Sequence, residues 1–124
     1  MIPKFRVAYK NKILGEVGSI DFIDETVEIP VYDNETGEYL VSYELGLNQV
    51  ILMQSTGLFD VNGKEIFEGD VVRMHSGELL PVRLHHGMFE PVCYYVSSVF
   101  EKVGNIFENP ELTEHPDFRE ATND

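Results

Sequence analysis

Apolar and polar residues alternate along most of this chain, and the alternation is interrupted at short intervals by Gly, Asn and Asp. From Lys4 to Tyr9 the period is two, with Phe5, Val7 and Tyr9 on one face, which predicts a half-buried strand. Asn11-Lys12 and Gly15 predict a turn, and Val17 to Asp24 and Thr26 to Tyr32 predict two further strands joined tightly at Asp24-Glu25. Asp33-Asn34-Glu35-Thr36-Gly37 is turn chemistry: short side chains that bond their own backbone, then a glycine free to take positive φ. Tyr39 to Tyr43 returns as the second arm of that hairpin. The run Val50-Ile51-Leu52-Met53 is apolar at every position, so a strand over 49–54 is expected to be covered on both faces.

Ser55 to Val72 carries Gly57, Gly63 and Gly69 among sparse apolar residues, and reads as a string of tight turns feeding a strand. Asn62-Gly63 suits paired positive φ angles, Gly69-Asp70 suits a strand entry in which the carboxylate accepts backbone amides, and Ile66 and Phe67 between the two turns are candidate core. Strands over Val71 to His75, Leu79 to His85, Met88 to Ser97 and Val99 to Phe107 complete a β-meander, with a hairpin tip at His86-Gly87. Pro81 and Pro91 each remove a ladder donor and belong at edges or bulges. Asn109-Pro110 stops the last strand, and Glu111 to Glu114 has room for one helical turn.

Length and charge narrow the class. A chain of 124 residues suits one domain with a single core. With 22 acidic against 9 basic residues the net charge is -13, which repels phosphate backbones and anionic lipid and works against sequence-independent nucleic-acid binding. Cys93 is the only cysteine, so neither an intramolecular disulfide nor a multi-thiolate zinc site can form. The N-terminal residues lack a signal-peptide core and no apolar run is long enough to span a bilayer, so a cytoplasmic protein is expected. The sequon Asn34-Glu35-Thr36 then reads only as a polar turn tip.

Candidate chemistry is thin. A calcium loop needs glycine at its sixth position and glutamate at its twelfth. Counted from Asp60 those positions are Glu65 and Val71, and counted from Asp33 they are Glu38 and Glu44, so turn chemistry is the stronger reading of both. His85 and His86 are adjacent on a strand and point to opposite faces, so they do not converge on one ion. Cys93 lies in an apolar run, where a thiol is expected as a small buried hydrophobe rather than a nucleophile. Ser55, Thr56 and Ser76 lack a nucleophile-elbow context. Asp21, Asp24, Glu25 and Glu28 form a solvated face rather than a catalytic pair.

Taken together, Gln54-Ser55-Thr56-Gly57-Leu58, Asp60, Asn62-Gly63-Lys64-Glu65-Ile66, Glu68-Gly69-Asp70-Val71 and Gly104-Asn105-Ile106-Phe107-Glu108-Asn109-Pro110-Glu111-Leu112 resemble the YopX family, as does the opening Ile2-Pro3-Lys4-Phe5-Arg6. Phe59 and Val61 replace the usual charged residues around Asp60, and Phe67 and Phe107 stand where tyrosine is common. The resemblance implies a protein encoded by phages and prophages, a mainly β fold with an SH3-like barrel, residence in a bacterial cytoplasm, and no assigned catalytic residues.

The expected architecture is therefore mainly β, a short-stranded meander with an SH3-like small barrel and little helix. Residues 1–112 form one YopX-like domain, with N-terminal strands over 1–54 and the barrel part over 55–112. An acidic tail over 113–124 is expected to be mobile unless Phe118 docks. No catalytic, cofactor-binding or metal-binding residue is expected. The leading functional expectation is a non-catalytic module that binds protein or assembles with itself, its partners a second copy of the chain or a host or phage protein, with neither nucleic acid nor membrane bound directly. The alternative is an acidic mimic of nucleic acid that inhibits a host nucleic-acid-binding protein. A metal-dependent hydrolase built on His75, His85 or His86 stands last.

Overall fold

The computed structural model describes residues 3–85, 87–94 and 99–119. The fold is mainly β, with 54% strand, helical turns only of the short 3-10 kind, and a sheet curled into a half-barrel. The chain gathers into two compact units, Met1–Gln54 and Ser55–Asp124.

In the first unit, β1 (Phe5–Tyr9) lies between β2 (Lys12–Glu16) and the start of β6 (Ile51–Phe59), all antiparallel. Arg6, Val7 and Ala8 are all buried, so β1 is covered on both faces although the alternation marks only one as apolar. The turn after β1 is made by Lys10 and Asn11, both at positive φ. Gly15 is not part of that turn. It sits inside β2, at φ 139 where the β1–β2 register slips, and a Cβ there would meet Ile29 at 3.6 Å. The strand expected over Val17 to Asp24 begins later, because β3 is only Ser19–Asp21.

A second sheet, ordered β3-β4-β5, combines β3 with β4 (Thr26–Tyr32) and β5 (Tyr39–Gly46). Its two turns are closed by aspartates. Asp21 Oδ1 accepts the amides of Ile23 and Asp24, and Asp33 Oδ1 accepts those of Glu35 and Thr36. The Leu47 amide donates to the Glu25 carbonyl at 2.8 Å, and this bond sets the parity of the β4–β5 ladder. Val27↔Leu45, Ile29↔Tyr43 and Val31↔Val41 are then the bonded pairs, whereas Pro30, which has no amide hydrogen, falls opposite Ser42 in a non-bonded pair. Val7, Val27 and Ile29 form the core of this unit, with Val17, Ile20, Leu45, Leu47, Val50 and Leu52 packed around them. Each such aliphatic side chain contributes about 1.5–3 kcal/mol when fully buried. The apolar run 50–53 is not covered throughout: Met53 is buried, but Ile51 is 51% exposed.

In the second unit, β6 runs on past the expected stop at Gln54 to Phe59 and pairs with β7 (Glu65–Phe67). The extension is possible because Gly57, at φ 76, absorbs a bulge between Ser55 and Phe59 rather than making a turn. A three-stranded sheet follows, ordered β12-β8-β9, from β8 (Asp70–Met74), β9 (Leu79–Pro81) and β12 (Phe100–Asn105). Pro81 stands in a strand at the end of this order, as a residue without a donor should. β10 (Arg83–His85) and β11 (Met88–Glu90) form a hairpin with Gly87 at φ 78. His86 at its tip and residues 95–98 lie outside the described residues, and the strand expected from Met88 gives way at Val92–Tyr94 to a 3-10 turn. The core comprises Ile66, Val72, Met74, Val82, Val92 and Phe100.

In the described part of the 113–124 tail Phe118 does dock, the circumstance that the sequence reading set apart from a mobile tail. The Leu79 amide donates to the Asp117 carbonyl, the Arg119 amide donates to the Leu79 carbonyl, and Phe118 bridges Leu79 in parallel. Arg73 Nη1 adds an ion pair to Asp117 at 3.3 Å. Backbone bonds to β9 and the half-buried Phe118 side chain hold 117–119 down.

Candidate functional site

Several polar residues of the family-like motifs bind backbone groups instead of facing solvent. Asp60 is buried, and its Oδ1 accepts the amides of Asn62 at 2.9 Å and Lys64 at 2.8 Å while Oδ2 accepts that of Lys102 at 2.8 Å. Burial pushes this carboxyl upward, but the three amide donors together outweigh it and hold Asp60 below the ordinary carboxylate value. The turn it closes includes Gly63 at φ 77, with the Gly63 amide bonded to the Asp60 carbonyl.

Asp70 is fully buried, accepts the Phe67 amide at 2.8 Å and pairs with Lys102 Nζ at 3.2 Å. The same ammonium donates to the Glu65 carbonyl at 2.9 Å and lies 5.9 Å from the Phe67 ring centroid. Asn105 Oδ1 accepts the amides of Phe107 and Glu108, and Asn109 Oδ1 accepts that of Asn105. Asp60 is therefore not on the surface, whereas Asn62 and Lys64 beside it are exposed. Asn62 Nδ2 bonds Glu101 at 3.0 Å, and Glu65 accepts the Ser55 hydroxyl at 2.5 Å.

The remaining chemical candidates are scattered. Thr56 donates to the Ile66 carbonyl, and Ser76 donates to Glu78 at 3.1 Å, so the Ser76 hydroxyl faces a carboxylate and not an imidazole. His75, Ser76 and Glu78 help line an open concavity of about 420 Å3 with Met74, Leu80 and Val99. His85 Nδ1 lies 3.3 Å from Glu90, which also accepts the Tyr94 hydroxyl at 2.6 Å. Cys93 is exposed, contrary to the expectation of a buried thiol, because the chain leaves β11 in a 3-10 turn instead of continuing as a strand. Desolvation and then the negative charge of Glu90 push its thiol pKa up, the opposite of an activated nucleophile. Among the described residues no three His, Cys, Asp or Glu side chains gather as a metal site.

What the structure does expose is an edge. β5 ends the order β3-β4-β5, and Tyr39, Leu40, Val41 and Tyr43 on it are 57%, 56%, 45% and 55% exposed. By the ladder parity, Ser42, Glu44 and Gly46 turn their amides and carbonyls away from β4. Gly46 is already satisfied, its amide by Gln49 Oε1 at 2.8 Å and its carbonyl by the Gln49 amide at 2.9 Å. Ser42 and Glu44 present their ladder groups outward. Sequence reasoning placed a strand here but had no signal for which side of it would be left unpaired.

The motif aspartates Asp60 and Asp70 and the asparagines Asn105 and Asn109 accept backbone amides at turns and strand ends, in a small, mainly β chain. The chain belongs to the YopX family: the model of that family, described as YopX protein, matches residues 4–114. It is also similar to a solved structure, protein EF1440 from Enterococcus faecalis, at 26% identity and a TM-score of 0.64, over 90% of this chain and 98% of that one. No curated protein matches. Among the described residues no helix is long and apolar enough to cross a membrane.

Proposed function

We propose that this chain is a phage- or prophage-encoded, non-catalytic module of the bacterial cytoplasm, SH3-like in its barrel part, that works by docking protein on the outer edge of β5. The observation carrying this reading is the edge itself: two consecutive unpaired ladder positions, Ser42 and Glu44, flanked by exposed Tyr39, Leu40, Val41 and Tyr43. Natural sheets blunt such edges with lysine, proline or a covering element unless the edge is used. Self-association through the same edge is one form of this reading.

The test compares wild type with Ser42→Pro, which removes an outward amide without touching a β4–β5 bond. The expected result is that a purified partner recovered from host lysate, or a second copy detected by light scattering, binds wild type and binds the variant at least tenfold more weakly. Recovered partners that bind both proteins alike, together with a light-scattering mass of one chain at every concentration, would overturn it.

One observation favours a second reading, mimicry of nucleic acid. Glu28 and Glu44 face each other across the β4–β5 ladder, with Asp21, Asp24 and Glu25 near one end of the hairpin and Asp33, Glu35 and Glu38 at the other. A host nucleic-acid-binding protein released from its DNA or RNA by this chain, and not by a Glu28→Gln/Glu44→Gln variant, would establish it; retention on the nucleic acid would remove it.

A further inference from the structure

The structure assigns to the β5 edge an occupant of definite chemistry: an extended segment of another protein in which basic and apolar residues alternate. This rests on the reading of β5 as a docking edge and adds what docks there. From residue 13 to residue 63 the chain contains no Lys, Arg or His, but ten acidic residues. The β4–β5 hairpin lies wholly within that run, so no cation on its own strands offsets Glu28 and Glu44, which are directly opposed and both exposed. Like charges so placed destabilise a sheet, and a cationic side chain on an added strand beside Glu44 would relieve the repulsion.

The two faces of β5 set the alternation. Val41 and Tyr43 project on one face, and Ser42 and Glu44 on the other. A strand laid along Ser42 and Glu44 places every second side chain against Val41 and Tyr43, where apolar residues suit, and the others beside Glu44, where Lys or Arg suits. Gly46, closed by Gln49, ends the available ladder at one side. The occupant therefore needs only a few paired residues. A second copy of the chain brings the opposite of what is needed: another net charge of -13 and another Glu28–Glu44 pair.

The probe is a fluorescein-labelled, end-capped hexapeptide alternating Lys and Val, read by anisotropy against the full chain. Comparison peptides carry Glu in place of Lys, the same residues in two blocks, or N-methyl groups on alternate amides in either register. The expected result is binding of the alternating Lys/Val peptide that weakens as salt rises. Binding should fall at least tenfold for one N-methyl register, for the block peptide and for Ser42→Pro. Glu28→Lys/Glu44→Lys should switch preference to the Glu/Val peptide. Thermal unfolding confirms that each variant is folded, and the charge-reversal pair leaves the edge backbone intact, so the two variants test ladder and charge separately.

Equal binding of the block and both N-methyl peptides, or of the Glu/Val peptide to wild type, would overturn the proposal. So would absence of Lys/Val binding at millimolar concentration. If no peptide binds but wild type forms an oligomer that Ser42→Pro dissolves, the basic partner falls and the docking edge stands. If neither is seen, both fall.

Discussion

Replacing Asp60 removes the acceptor for three amides at once. Its oxygens receive Asn62, Lys64 and Lys102 at 2.8 to 2.9 Å, and the side chain is only 3% exposed, so water cannot take over all three donors. A hydrogen bond to a charged group contributes about 1.5–3 kcal/mol, and bonds sharing one carboxylate do not add fully. Asp60→Ala should therefore cost about 3–5 kcal/mol, a large share of a typical total of roughly 5–15 kcal/mol. Asp60→Asn keeps one oxygen but sets its amide group against a backbone donor, and should cost about 2 kcal/mol. Because the folded pKa of Asp60 lies below its unfolded value, the contribution of the ionised form is complete above roughly pH 4 and is lost as pH falls through the folded pKa. The gap between wild type and Asp60→Asn should thus be full at neutral pH and close in acid. Urea unfolding followed by tyrosine fluorescence suits a chain with no tryptophan. A loss under about 1 kcal/mol for Asp60→Ala, or a gap that stays constant down to about pH 3, would refute the reasoning.

Lys102→Met should cost about 2–4 kcal/mol in the same assay, since it takes the ammonium from beside the buried Asp70 carboxylate, and adding Asp70→Asn should recover part of the loss. Gly63→Ala meets no neighbour within 4 Å and should cost about 1 kcal/mol from positive φ alone. Gly104→Ala should cost more, about 2–3 kcal/mol, because its Cβ would stand 2.5 Å from Asn109 Oδ1 and displace the acceptor of the Asn105 amide. The Tyr94 pKa is pushed up to about 12, chiefly by its hydrogen bond to Glu90, so ultraviolet titration of Glu90→Gln should show one tyrosine ionising earlier than in wild type.

How far the fold could be read from the residues depended on how local its causes are. The turns at Asp24-Glu25, Asp33 to Gly37, Asn62-Gly63 and Gly69-Asp70 stand where expected, because each is closed by side chains and backbone within a few residues of one another. Ile66 and Phe67 are buried between two of them, as their position implied. Gly15 and Gly57 were misplaced because a glycine looks the same in a turn as in a bulge, and only the partner strand decides between them. Ile51 and Leu52 look alike in an apolar run and both pair with β1, yet Ile51 is exposed and Leu52 half-buried, a difference set by what packs on each face of the strand. The contact of Phe118 with Leu79 and the open side of β5 are both matters of long-range pairing, on which alternation is silent.

The strip 117–119 against β9 bears on the order in which the chain is made. β8 and β9 leave the ribosome close together, but β12 follows only after residues 82–99, and the residues that cover Leu79 come later still. Synthesis from the N-terminus therefore holds one flank of that sheet open until Phe118 has been added. A ribosome stalled before that point would leave the outer side of β9 without the strand segment that pairs with it in the folded chain.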